Sequence, residues 1–208
     1  MSFVPTSSEV GDLTQGVERR AARTWFADGL PELGCGTALL TAAAGLALAS
    51  RAPYLLAALP IVLIVGSRFF TRIFFWAKSR LADPRTGYMR WRQPTGWRRY
   101  APAAVGVVFA MLLGQLEDVY AELGPWIPSI IFLTVSMGFA GIAFQTRLAR
   151  FYALALVPVA AALAVRLVGL DEVSTWSALF ALTGVPTVAS GAAALRAYLR
   201  AHPVPAVE

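Results

Sequence analysis

Six long apolar runs, separated by short polar turns whose charge alternates in sign, dominate the pattern of this 208-residue chain. They cover residues 33–49, 54–76, 101–116, 126–144, 151–170 and 176–199. A hydrocarbon core about 30 Å thick is crossed by roughly 20 helical residues. Lipid offers the backbone no hydrogen-bond partner, so such runs are expected to be helices. The predicted fold is therefore all-α: an integral membrane bundle of six transmembrane helices, paired as three hairpins. Pro128 falls in the first turn of its run, where proline costs little. Pro60, Pro158 and Pro186 lie inside runs, which a membrane helix tolerates when neighbours satisfy the freed carbonyl.

Ahead of the first run, residues 12–28 read as an amphipathic helix. Asp12 stands at the N-cap with Gln15 three residues on, as in a capping box. Leu13, Val17, Ala21 and Trp25 share one face, with Arg19 and Arg23 towards the other. Gly29 and Pro31 stop the helix. A basic helix with a Trp anchor suits the lipid headgroup layer, and packing against the bundle is the alternative. Residues 1–29 contain no short apolar core followed by a cleavage site, so the first span is expected to direct insertion. The domain plan is an N-terminal arm (1–29), a membrane domain (30–200) and a tail (201–208).

Composition agrees with lipid as the solvent. The chain is 57% hydrophobic and 14% charged, where a soluble domain carries about 25% charged residues; its mean hydropathy is +0.61. The net charge of +6 would suggest nucleic acid in a soluble protein. Here it is expected to meet anionic lipid on the cytoplasmic side, and no nucleic acid partner is predicted. With the N-terminus inside, sixteen of the 18 basic residues fall on that side, leaving Arg51 and Arg166 outside. Glu117, Asp118, Glu122, Asp171 and Glu172 then lie in the outer turns. This bias predicts both termini on the cytoplasmic side of the membrane. Leu116-Glu117-Asp118-Val119 and Leu170-Asp171-Glu172-Val173 occupy equivalent outer turns, a hint of duplication.

The loop 77–99 is the segment whose composition exceeds what topology needs. Arg85, Tyr88, Arg90, Trp91, Arg92, Trp97, Arg98 and Arg99 interleave cations with aromatic rings, while Pro84, Gly87, Pro94 and Gly96 build turns. Guanidinium groups reach phosphates and the rings sit at headgroup depth. The same set suits an acidic protein surface, and simple anchoring of two helices is the plainer reading. Asp28-Gly29-Leu30 with Glu32-Leu33, together with Pro84-Arg85-Thr86-Gly87-Tyr88, resembles a group of small bacterial multi-pass membrane proteins. That resemblance covers the first half of the chain and implies a bacterial membrane and a cytoplasmic loop of interest, with no catalytic residue to carry over.

Other chemistry finds little support. Cys35 is the single cysteine, too few for a disulfide or a zinc cluster, and His202 lies in the polar tail. No metal or cofactor is expected. Ala189-Ser190-Gly191-Ala192 resembles the Ser-Gly element of rhomboid proteases. A serine nucleophile needs a base within hydrogen-bond reach, and His202 is roughly 18 Å further along the same helix. Ser190 is expected to be a small packing residue. A lipid-acting enzyme would need an acid or base facing the inner interface; Asp28 and Glu32 are the only candidates near a span start on that side, and helix capping is the cheaper reading of both.

Proton-coupled transport would want ionisable groups at mid-membrane, and no Asp, Glu, Lys or His lies in the middle of any run; the polar inventory is hydroxyls and Gln145. Each of Thr37, Thr41, Ser67, Thr134, Ser136, Thr183, Thr187 and Ser190 can bond a backbone carbonyl. Gly34, Ala38 and Ala42, and likewise Ala189, Ala193 and Ala197, form small-residue faces that permit close packing. Six spans with a small-residue first face resemble, in architecture alone, the substrate-capture subunits of energy-coupling-factor vitamin transporters.

The leading expectation is a non-enzymatic membrane protein that binds a partner protein or anionic lipid through its basic loop. A small-solute transport component is the first alternative and a lipid-acting membrane enzyme the second. A homo-oligomer is compatible with the pattern.

Overall fold

A computed structural model describes residues 20–49, 52, 71–81 and 124–203. These residues are helical, joined by turns, with no strand among them. The expected span 101–116, most of 54–76 and all eight residues singled out in the basic loop lie outside the described residues.

Residues 20–27 form α1 and Leu30–Ala49 form α2. Residues 71–81 form α3. A 3-10 turn at Gly124–Trp126 leads into α4, Ile127–Thr146. The last two helices are α5, Ala149–Val168, and α6, Glu172–Ala201. Four of them (α2, α4, α5, α6) are long and apolar enough to cross a membrane. At 1.5 Å per residue, a 20-residue helix spans about 30 Å.

Helix ends follow local chemistry. Gly29 takes a left-handed φ of 72° between α1 and α2, where glycine alone carries no Cβ penalty. Asp171 caps α6 by accepting the Ser174 N–H at 3.1 Å, which satisfies one of the orphan donors of the first turn. Pro158 and Pro186 lie inside α5 and α6, which continue through them. Each described span reaches beyond its expected start, except α4, which begins one residue later. The expected loop 77–99 starts too early, because its first five residues belong to α3.

The described spans run antiparallel to their neighbours. Phe139 and Ala143 meet Phe151, Leu154 and Ala155 at one end of the α4–α5 pair. Phe132 packs with Ala161, Ala162 and Val165 at the other, joined there by Leu179 of α6. These two clusters make a slender core. Outward, Met137, Phe144 and Leu167 are 73%, 77% and 89% exposed. Water would penalise so much open apolar surface, whereas lipid does not, so these faces fit a bilayer.

The closest packing lies between α2 and α6. Gly36 faces Gly184 and Val188, Gly29 faces Gly191, and Ser177 donates to the Ala43 carbonyl at 3.0 Å. Gly29, Gly36 and Ala43 recur every seven residues, as do Ser177, Gly184 and Gly191. A seven-residue repeat keeps one seam facing its partner along both helices. A Cβ added at Gly191 would sit 2.6 Å from the Leu33 nitrogen, so the backbones touch. The expected four-residue faces are not this seam: Ala38, Ala189, Ala193 and Ala197 are exposed.

The described part of the N-terminal helix packs on the bundle. Ala22 is buried. Phe26 stands edge-on to Phe151 at 5.5 Å, and Trp25 is tilted against Phe74 at 6.4 Å. Residues 12–19 of the expected helix lie outside the described residues.

Candidate functional site

The turn between α1 and α2 brings two carboxylates into the protein at one end of the bundle. Gly29 lets the chain reverse direction against Gly191, which holds Asp28 and the first turn of α2 close to α6. Asp28 is 2% exposed and Glu32 is 1% exposed. Two carboxylates this deep require compensation, because desolvating an unpaired charge costs several kcal/mol.

Each carboxylate has its own cation, from a different helix. Lys78 of α3 pairs with Asp28 Oδ2 at 3.1 Å and donates to the Trp25 carbonyl at 3.1 Å. Its ammonium lies 3.4 Å from the centre of the Trp25 ring, a cation–π contact that partly replaces lost water. Asp28 Oδ1 accepts the Leu30 N–H at 3.1 Å. Arg150 of α5 donates from Nε to Glu32 Oε1 at 2.8 Å and from Nη2 to the Phe26 carbonyl. Ser190 of α6 donates to the second Glu32 oxygen at 3.0 Å. Burial pushes the Asp28 carboxyl above the ordinary range, against the pull of Lys78 and the Leu30 N–H.

The four charges sum to zero and tie α1, α2, α3, α5 and α6 together. The capping reading is thus half right for Asp28, which bonds the Leu30 N–H but also holds Lys78. It fails for Glu32, whose oxygens meet Arg150 and Ser190. Ser190 is more than a small packing residue, since its hydroxyl is committed to Glu32. The sequence did carry a signal: two acids, Asp28 and Glu32, stand at the head of an apolar run.

The same end collects six exposed arginines of the described residues. Arg147 follows α4, Arg196 and Arg200 close α6, Arg80 closes α3, and Arg20 and Arg23 lie on α1; all are exposed. The basic loop continues from Leu81 of α3, whose Lys78 is anchored at this end. The opposite end carries Asp171 and Glu172 with Arg166, whose guanidinium lies 3.9 Å from the centre of the Trp126 ring. A recess of about 390 Å³ opens there between α4, α5 and α6, lined in part by Arg166, Glu172 and Thr175.

Hydroxyls within the described spans return to backbone carbonyls, at exposed Thr37, Thr41 and Thr134 and at buried Thr187. Ser136 crosses instead to the Ala155 carbonyl. Thr183 and Ser129 are buried with no partner for the hydroxyl among the described residues. Among the described residues no cluster of His, Cys, Asp and Glu is arranged to hold a metal ion. The chain matches no protein-family model, no curated protein and no solved structure.

Proposed function

We propose that this is a non-enzymatic multi-pass membrane protein of the bacterial inner membrane, with both termini cytoplasmic, whose basic end binds anionic lipid headgroups or an acidic partner protein. One observation carries the reading: Arg20, Arg23, Arg80, Arg147, Arg196 and Arg200, from four helices, gather exposed at one end of the bundle. Each basic residue near an anionic surface adds about 1 kcal/mol of attraction. The sequence after α3 carries five more arginines, Arg85, Arg90, Arg92, Arg98 and Arg99, in the segment expected from charge to be cytoplasmic. The buried ion pairs support the reading by fixing α1 and α3 at that end. They also weigh against a lipid-acting enzyme, because a carboxylate held by a guanidinium is a poor general base.

The test is co-purification in mild detergent followed by native mass spectrometry. The wild type is expected to retain phosphatidylglycerol or a protein partner, and the R85Q/R90Q/R92Q variant to retain less. A wild type that carries neither removes the basis of the proposal. A small-solute transport component is the second reading. The recess beside Arg166 and the unpartnered hydroxyls of Thr183 and Ser129 favour it, and the filled clusters around Phe132 and Phe139 count against it.

A further inference from the structure

The two-residue turn between α4 and α5 carries Arg147, and Arg150 follows three residues on in the first turn of α5 at the basic end. Arg147 occupies a left-handed position, φ 54°, and its N–H closes α4 on the Ala143 carbonyl at 2.7 Å. Its side chain is exposed and makes no bond among the described residues. Arg150 is different. Its Nε is fixed by Glu32 and its Nη2 by the Phe26 carbonyl, and Phe151 lies beneath the guanidinium at 5.5 Å. A guanidinium has further N–H donors in the same planar fork, and these have no partner among the described residues. About a quarter of the side chain, 26%, remains open to the surroundings.

We infer that Arg147 and Arg150 form a binding site for the phosphate of an anionic lipid headgroup, with Glu32 as the residue that positions Arg150. The inference rests on the reading of this end as lipid-facing. Three features argue for it. A fork held rigidly by a buried carboxylate loses little side-chain freedom when it accepts a second anion. Planar paired donors match phosphate oxygens better than a point charge does. Finally, the charge balance is incomplete: Glu32 neutralises Arg150, but nothing described neutralises Arg147, and the turn keeps one net positive charge. A lipid phosphate, unlike a free anion, is delivered at headgroup depth, which is where a turn between two spans lies.

The experiment uses the full chain in nanodiscs of phosphatidylglycerol and phosphatidylcholine in equal parts, with retained lipid read by native mass spectrometry after detergent release. The wild type should retain phosphatidylglycerol in preference to phosphatidylcholine. R147Q should lower that preference roughly fivefold, the effect of one basic residue at an anionic surface. R150K keeps the charge and loses the fork, and should lower it by a similar factor. E32Q should also lower it, through a guanidinium that is no longer aligned. R200Q, which removes one charge from the same end but lies outside the site, should lower it by less than R147Q does. Inorganic phosphate added in excess should not displace the lipid; displacement would assign the site to a free anion and overturn the inference. Equal losses for R147Q and R200Q, or none for R147Q, would overturn it too. Because Arg147 is exposed and has no partner among the described residues, its variant tests the site even if R150K fails to fold. A wild type with no lipid preference defeats the basic-end reading itself, whereas a preference indifferent to R147Q defeats only this site.

Discussion

Glu32 is buried to 1% exposure at the head of an apolar helix, and its two oxygens meet groups 118 and 158 residues away in the chain. Such a carboxylate contributes through the consequences of breaking its pair more than through the pair itself. Arg150→Leu strands Glu32 without a cation and is expected to cost about 3–5 kcal/mol, the usual range for a broken buried pair. Glu32→Gln leaves Arg150 unpaired, but that side chain is 26% exposed and water offsets part of the loss, so about 2 kcal/mol is expected. The double variant E32Q/R150L should lose less than the sum of the two. Reversible unfolding in mixed micelles checks the order; equal and additive losses would mean the two side chains do not act as a pair.

At the scale of elements, the α2–α6 seam is where packing tolerates least. Gly191 has the Leu33 nitrogen 2.6 Å from where a Cβ would stand. Gly191→Ala must push two backbones apart and is expected to cost about 1–3 kcal/mol. Gly138 in α4 offers the contrast, because an added Cβ there meets nothing within 4 Å. Gly138→Ala should be neutral or stabilising by up to about 1 kcal/mol, through helix propensity alone. Thermal melts of both variants in one detergent give the comparison, and a G191A protein as stable as G138A would show that the seam opens. The spacing of small residues was visible in the sequence, but the period was not. Runs at four and at seven residues overlap in Ala- and Gly-rich helices, and only the position of α6 selects Gly29, Gly36 and Ala43 as the buried row.

For the molecule as a whole, the antiparallel spans bring the start of α2 and the end of α6 to the same end. With that end cytoplasmic, a C-terminal green fluorescent protein fusion should fluoresce and a C-terminal alkaline phosphatase fusion should be inactive. In a variant with Cys35 replaced, a cysteine introduced at Glu172 should react with a membrane-impermeant maleimide from outside intact cells, and one at Arg200 should not. The reverse labelling pattern would invert the topology and place the basic end away from the cytoplasmic leaflet. The four described spans were largely legible beforehand, to within a few residues at most ends, because hydropathy over 20 residues is a local sum that tertiary contacts barely alter. The tethers at the basic end were not. Asp28, Glu32, Lys78 and Arg150 each have an innocent local explanation as a cap, a span flank or a topology signal, and nothing local says which acid meets which base.

Composition and hydropathy alone therefore determine which helices are long and apolar enough to cross a membrane, since transfer free energy accumulates residue by residue along the chain. Partnership is a matter of distance between remote segments. That Lys78 closes on Asp28, that Arg150 divides itself between Glu32 and the surroundings, and that α1 is held against the bundle were decided only when five helices met. An ion pair between remote segments exists only once the backbone has brought its members within about 3 Å.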